Sequence, residues 1–179
     1  MHGDNNFVFV VFLSEKAKTA ELCRELENSV MLSPAFDSLV KMSMGLPNFF
    51  RSKVLLVAGR CYSTKVEQMQ QARIYLREAY RIAPRDVKNL VALELTRLYG
   101  SLILRDSCVE EAIRFISRVP SKVVFTREEE AKFYYLGACF FKSIDIDRAF
   151  RAVDQALSLY RGLSDTEGEI EAYRLKATL

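Results

Sequence analysis

Histidine is nearly missing from this sequence, because the only one among 179 residues is His2, close to the N-terminus. Histidine is the commonest general base and metal ligand in proteins, so its scarcity argues against catalytic and metal sites. Cysteine pairs are missing too, since the four cysteines are widely separated and none forms a Cys-x-x-Cys motif. We therefore expect no zinc site and no redox dithiol. Isolated cysteines are typical of buried thiols in a reducing compartment.

Glycine and proline are also scarce, with seven and four residues respectively. Long loops, linkers and low-complexity segments are therefore not expected. Half of the residues are hydrophobic, which is enough for a sizeable core, so we predict one compact domain over residues 1–179. Basic and acidic residues nearly balance, at 26 and 23, and a net charge of +3 does not by itself favour a nucleic-acid partner.

Near the N-terminus, Phe7–Leu13 is a run of seven apolar residues. It is too short to span a bilayer, and Asp4 precedes it where a signal peptide would carry basic residues. The segment is either a short buried strand or the apolar start of the first helix, with a targeting signal as the weaker alternative. We predict a cytoplasmic protein without a membrane span.

Nearly all of the remaining sequence has the apolar periodicity of helices, with proline and glycine at the breaks. No segment outside Phe7–Leu13 alternates convincingly with period two, so the predicted class is all-α. The predicted helices span about 14–31, 35–44, 49–62, 66–82, 86–105, 108–118, 127–142 and 146–160, and a last one begins near residue 166.

Polar side chains mark several of these helix starts. Ser14 is the predicted N-cap of the first helix. Asp145 precedes another helix, and capping explains it better than a metal site, because no calcium-loop glycine or terminal glutamate follows. A capping box, in which the first and fourth side chains satisfy backbone amides reciprocally, is predicted three times. The three boxes are Ser107 with Glu110, Thr126 with Glu129 and Thr166 with Glu169.

Small residues recur at matching places inside consecutive helix pairs. A glycine lies in the first helix of three pairs, at Gly59, Gly100 and Gly137. Glycine inside a helix costs about 1 kcal/mol relative to alanine, so its repetition indicates that two helices approach closely there. The three patterned pairs contain Leu55, Ala58, Gly59, Tyr62, Ala72, Leu76, Ala79 and Pro84; Tyr99, Gly100, Ile103, Ala112, Ile116 and Val119; and Phe133, Leu136, Gly137, Phe140, Ala149, Val153 and Ala156.

This pattern resembles the tetratricopeptide repeat, whose consensus places an aromatic residue, Leu-Gly and Tyr on one helix and Ala, an aromatic residue, Ala and Pro on the next. The segment 130–161 matches best, 52–84 matches with one extra residue in its turn, and 93–120 matches more weakly. The resemblance implies an α-α superhelix of antiparallel helix pairs with a concave surface. Residues 1–50 would form an N-terminal cap or a degenerate repeat, and 166–179 a capping helix. Gly59, Gly100 and Gly137, which we call the marker glycines, are further apart than the family's usual period. A generic α-α solenoid is therefore an alternative to the tetratricopeptide fold.

Members of this family hold their ligands on the first helix of each pair. The corresponding groove positions are Lys53, Leu56, Arg60, Thr64, Glu94, Arg97, Ser101, Arg105, Tyr134, Ala138, Phe141 and Lys142. Among them, the predicted partner-binding residues are Lys53, Leu56, Arg60, Arg97, Arg105, Tyr134, Phe141 and Lys142. Cations attract at long range and aromatic side chains supply most of the affinity, so the implied partner is a protein or peptide with acidic and apolar residues. Ordinary solvated helix faces would explain the basic residues about equally well.

The function implied by the resemblance is that of a protein-binding adaptor or scaffold, alone or within a larger assembly. We expect no enzyme, no cofactor and no metal, because the sequence contains no GxGxxG, Walker A, HExxH or GxSxG motif. One alternative is a chaperone similar to the tetratricopeptide chaperones of type III secretion, against which the basic pI of about 8.7 counts. Another is a helical-repeat RNA-binding protein that uses Arg60, Arg97, Arg105 and Lys142 on phosphates.

Overall fold

The structure is a computed structural model that describes residues 4–28, 34–64, 66–102 and 108–179. Within these ranges it is all-α, as predicted, and no strand occurs. Short 3-10 turns lie at Ser43–Gly45, Val66–Gln68 and Val119–Ser121. The helices are α1 (Asp4–Asn28), α2 (Pro34–Met42), α3 (Asn48–Ser63), α4 (Met69–Ile82), α5 (Arg85–Leu102), α6 (Val109–Arg118), α7 (Arg127–Phe141), α8 (Ile146–Leu163) and α9 (Thr166–Lys176).

The apolar segment Phe7–Leu13 belongs to α1 and is not a strand. A short apolar run has no periodicity that separates a strand from a buried helix, which is why the sequence left both possibilities open. The predicted N-cap at Ser14 is wrong, because the helix is already formed there and continues through it. Over the part of the chain that the structure describes, no helix combines the length and the apolar character needed to cross a membrane.

The predicted helix caps have different outcomes. At α7, Thr126 Oγ1 accepts from the Glu129 amide at 3.2 Å and Glu129 Oε2 accepts from the Thr126 amide at 2.9 Å, which confirms the capping box. Asp145 Oδ1 accepts from the Arg148 amide at 3.0 Å and caps α8, as predicted. The box at Thr166 is wrong, since Asp165 one residue earlier caps α9 by accepting from the Gly168 amide. A carboxylate also interacts favourably with the helix dipole, which a threonine hydroxyl does not. The box at Ser107 lies outside the described residues.

The chain divides into two compact units, Met1–Val91 and Ala92–Leu179, and the division falls inside α5. We call them the first unit and the second unit and describe each by itself. The prediction of a single domain over residues 1–179 stays a prediction.

In the first unit, α3 packs along α4, and α1 packs against α3. Alanines make the close approach between α3 and α4 possible, since Ala58, Ala72 and Ala79 have no exposed surface. At Gly59 the approach is closest, because a Cβ there would lie 2.5 Å from Leu76 Cγ. Leu76 is itself 1% exposed, so its side chain has little room to move. The marker glycine of this pair is therefore required by packing, as the sequence pattern predicted.

The other two marker glycines are not required by packing. A Cβ at Gly100 would meet no atom within 4 Å, and one at Gly137 would meet only Ile116 Cγ2, at 3.9 Å. The expectation of a tight crossing at all three glycines is therefore wrong for Gly100 and Gly137. At Gly137 the missing side chain leaves open space beside α7, and this space forms part of the site described below.

In the second unit, α7 packs along α8, and α9 covers both. Their shared core contains Ala131, Ala138, Val153, Ala156, Leu157, Tyr160 and Ala172. The sequence predicts a C-terminal helix that covers the apolar face of Leu157 and Leu159; Ala172 of α9 shares a core with Leu157, and Leu159 packs against the same core. The sequence also predicts that Ile170, Tyr173 and Ala177 form the apolar stripe of that helix. This prediction is wrong, because Ile170 and Tyr173 are 47% and 44% exposed.

The buried stripe of α9 begins with two small residues, Gly168 and Ala172. A Cβ at Gly168 would overlap the ring of Tyr160, and Ala172 has no exposed surface. Leu175 and Leu179, which follow at helical spacing, also pack against this core. Small side chains let α9 approach α8 closely, so the face that carries them turns inward although Ile170 and Tyr173 lie on other faces.

Candidate functional site

The predicted partner-binding residues are distributed over both units and differ in exposure. Lys53, Leu56 and Arg60 belong to the first unit; Lys53 and Arg60 are exposed, whereas Leu56 is only 5% exposed. Lys53 Nζ lies over the Phe49 ring, 4.3 Å from its centroid. Whether these residues share a groove with those of the second unit stays a prediction.

In the second unit, Arg97 is exposed and its guanidinium pairs with Glu94 on the same helix at 2.9 Å. Lys142 is exposed and donates to Thr178 Oγ1 at 2.8 Å, beside α9. Arg105 lies outside the described residues. Tyr134 is half-buried, Phe141 is 7% exposed, and both line the same cavity.

That cavity has a volume of about 380 Å³ and lies between the α6 region and the α7–α8 pair. A second cavity of about 280 Å³ shares Pro120, Phe133 and Tyr134 with it and extends towards Val124 and Phe125. We call the two together the second-unit groove. Pockets that hold a drug-sized molecule or a large side chain have volumes of a few hundred Å³, so the groove is large enough for a peptide anchor.

Aromatic residues of α7 form the floor of the second-unit groove. Phe133, Gly137 and Phe141 are four residues apart, which places them on one face of the helix. Phe133 also stacks with Phe125, with ring centroids 5.2 Å apart. Because Gly137 has no side chain, the floor between the two phenylalanines is open. The wall opposite contains Ile116 and Ser117 near the end of α6 and Pro120 just beyond it.

Two arginines of α8, Arg148 and Arg151, lie on the rim of the groove. Arg148 pairs with Asp145 at 3.0 Å, and its guanidinium lies 5.6 Å from the centroid of the Phe141 ring. Among the residues that the structure describes, none forms an ion pair with Arg151. The rim of the larger cavity is therefore positively charged above an apolar floor.

The smaller cavity has a different polarity. Glu130 lines it, and Tyr134 lies between the two cavities. Burial, and to a smaller extent the nearby carboxylate of Glu130, raises the pKa of Tyr134 above its ordinary value. The shift is away from neutral pH, where the hydroxyl is protonated and can donate a hydrogen bond.

Of the residues that line the groove, the sequence pattern predicts Tyr134 and Phe141 but not the arginines or the opposite wall. The groove positions implied by the family resemblance lie on the first helix of each pair, whereas Arg148 and Arg151 are on the second helix of the last pair. The signal that could have found them is their spacing, because two arginines three residues apart on a helix project from the same face.

The face of α7 that packs towards α9 has a different character and is closed. Burial is the main reason why the pKa of Tyr160 is raised to about 12, and the neighbouring Asp165 and Cys139 contribute. Burial likewise raises the pKa of Tyr135 to about 12, with Cys139 as the next cause. The thiol of Cys139 also has a raised pKa, because it too is partly removed from water.

These two tyrosines predict a loss of stability at alkaline pH. The ordinary tyrosine pKa is 10.0, so between about pH 10 and pH 12 the unfolded chain loses these protons while the folded chain retains them. Their contribution to stability is complete below pH 10 and is lost as the pH rises through this window. Urea unfolding at a series of pH values should show a steeper alkaline loss for the parent than for the double variant Tyr135→Phe/Tyr160→Phe. If the stability of the parent and that of the double variant fall in parallel with pH, the pKa values of Tyr135 and Tyr160 are not raised in the folded protein.

No protein-family model matches this chain, and neither a curated protein nor a solved structure matches it. The resemblance to tetratricopeptide repeats therefore rests on the residues quoted from the sequence. Among the described residues, no group of three His, Cys, Asp or Glu side chains could hold a metal ion.

Proposed function

We propose that this protein is a non-enzymatic interaction module, an adaptor or a subunit of a larger assembly, that holds a segment of a protein partner. The observation that carries the proposal is the second-unit groove, which combines an apolar floor with arginines on its rim. The chemistry of this groove favours a segment with an apolar side chain next to carboxylates. A cytoplasmic location is part of the proposal, because the widely spaced cysteines of the sequence are typical of a reducing compartment.

The proposal includes a tetratricopeptide-like arrangement of helix pairs. It is supported by the burial of the small consensus residues, since Ala72, Ala112, Ala149 and Ala156 have no exposed surface. In the pair formed by α5 and α6, Tyr99 is 1% exposed and donates to Glu111 at 2.5 Å across the two helices. Proteins built from such pairs act through surfaces that bind peptides, which agrees with a groove that contains no catalytic constellation.

The apolar floor would supply most of the affinity. Burying one large aliphatic or aromatic side chain contributes about 1.5–3 kcal/mol. Exposed ion pairs contribute about 0–1 kcal/mol each, so contacts of a ligand carboxylate with Arg148 or Arg151 add little energy. Their role would be to orient the segment and to accelerate its association, since charges of opposite sign attract at long range.

Selection from a displayed random-peptide library tests this function. The parent should enrich peptides that combine a large apolar residue with Asp or Glu. Gly137→Leu should lose them, because the added side chain would occupy the cavity while a Cβ at this position fits without overlap. A tight crossing at Gly137, as the sequence pattern predicts, would instead make this substitution disrupt the α7–α8 pair. Gly162→Leu is the matched control, since Gly162 is exposed on α8 and meets no atom within 4 Å.

Two results would contradict the proposal. One is enrichment of the same peptides by the parent and by Gly137→Leu, which would place the binding site elsewhere. The other is a parent protein that is folded but enriches no peptide. Circular dichroism establishes that both leucine variants retain their helices.

A further inference from the structure

We propose that the second-unit groove holds helix α9 of another copy of this chain, so that the protein associates with itself head to tail. The inference rests on the proposed function, because it names the partner of the same groove. It follows from the chemistry of two surfaces that lie apart on the second unit and complement each other.

The first surface is the outward face of α9. Gly168 and Ala172 face the core of the second unit, so residues 167, 170, 171 and 174 point away from it. Ile170 is the apolar residue of this face and is 47% exposed. Glu167 and Glu171, three residues before it and one residue after it, are exposed as well. The outward face of α9 is thus an exposed isoleucine between two carboxylates.

The second surface is the groove, whose composition is complementary. Its larger cavity has room for a branched aliphatic side chain above Gly137 and Phe141. Arg148 and Arg151 stand on its rim at a spacing of three residues, where they can meet carboxylates on either side of such an anchor. The carboxylate of Glu171 is bound to Arg174 at 2.9 Å, with both side chains at least half exposed, so this weak pair can exchange for one with the groove.

The occupant must come from another copy. No residue of α9 lines either cavity. The docking of α9 through Gly168 and Ala172 also keeps Ile170 on the outside of its own unit. Two different surfaces then meet, which is a heterologous contact, and such contacts form rings or open chains of copies. One helix face in one groove is a small interface, so the association should be weak and dependent on concentration.

Sedimentation velocity over a wide range of protein concentrations tests the inference. The average mass of the parent should rise with concentration. Ile170→Asp, which removes the anchor, and Gly137→Leu, which fills the cavity, should weaken self-association by about tenfold or more. Ile74→Asp is the matched control, because Ile74 is an exposed isoleucine of α4 in the first unit, and this variant should associate like the parent.

Mixing the two variants gives the sharpest result. Ile170→Asp retains an intact groove and Gly137→Leu retains an intact α9, so one copy of each should combine. The equimolar mixture should form a complex of two chains and nothing larger. A parent that stays monomeric, association of both variants like the parent, or a mixture that stays monomeric would each overturn the inference.

The outcomes also separate this inference from the function on which it rests. The parent could stay monomeric and still enrich acidic, apolar peptides that the Gly137→Leu variant does not enrich. This result would overturn self-association and leave the proposed interaction function standing. A parent that neither associates with itself nor enriches peptides would overturn both.

Discussion

Ala172→Glu is expected to lower the free energy of unfolding of the second unit by about 3 kcal/mol or more. Ala172 has no exposed surface and packs in a core with Leu157 and Tyr160. A carboxylate at this position would lose its hydration, and the surrounding core side chains are apolar or aromatic. The expected response is the release of α9 from α8, because detachment returns the charge to water. Urea unfolding measures the loss of stability, and amide hydrogen exchange reports whether α9 detaches.

Ile170→Glu is the control for this prediction, two residues away on the same helix. Ile170 is exposed, so the same glutamate should change the free energy of unfolding by about 0.5 kcal/mol or less when measured at low protein concentration. The comparison also decides between the two apolar stripes of α9. A larger loss for Ile170→Glu than for Ala172→Glu would show that the stripe expected from the sequence is the buried one.

Gly59→Ala should destabilise the first unit by about 1–3 kcal/mol, although alanine is the better helix former. The new methyl group would lie 2.5 Å from Leu76 Cγ, and the buried leucine has to move into a packed core. The matched control is Gly100→Ala in α5, where no atom lies within 4 Å of the new Cβ. That variant should gain up to about 1 kcal/mol from helix propensity alone. Thermal and urea unfolding of both variants measure the difference.

A second background isolates the contact with Leu76. Leu76→Ala should itself cost about 2–5 kcal/mol, because it leaves a cavity in the core. In that background, Gly59→Ala has nothing to overlap and should no longer be destabilising. If the alanine at 59 costs the same with and without Leu76, the close approach of α3 and α4 is not at this glycine.

Most of the helices could be predicted from the sequence because their signals are local. The box at Thr126 and the cap at Asp145 act on the backbone within four residues, so the sequence contains the whole interaction. The prediction failed where local signals competed. Ser14 is a good cap residue inside a helix that continues through it, and Asp165 precedes Thr166 as a stronger cap.

Periodicity predicted that the C-terminal segment is a helix but not which face is buried. Three large apolar residues lie on α9, namely Ile170, Tyr173 and Leu175, and transfer energies alone would bury all of them, whereas Ile170 and Tyr173 are exposed. The side that packs is instead the side that fits closely, where Gly168 and Ala172 meet Tyr160. The face of α9 that fits better is determined by the surface of α8. No pattern within the sequence of α9 contains that information.

The sequence by itself determined that this protein is all-α, where most of its helices begin and end, and that small residues recur within its helix pairs. The tertiary structure decided what each small residue does. Gly59 lies against Leu76, whereas Gly137 opens a cavity between two phenylalanines that Arg148 and Arg151 border. Helix formation depends on residues three or four apart, which the sequence displays directly. A close approach or a groove depends on side chains from helices distant in the chain, and their relative placement is set only when the core packs.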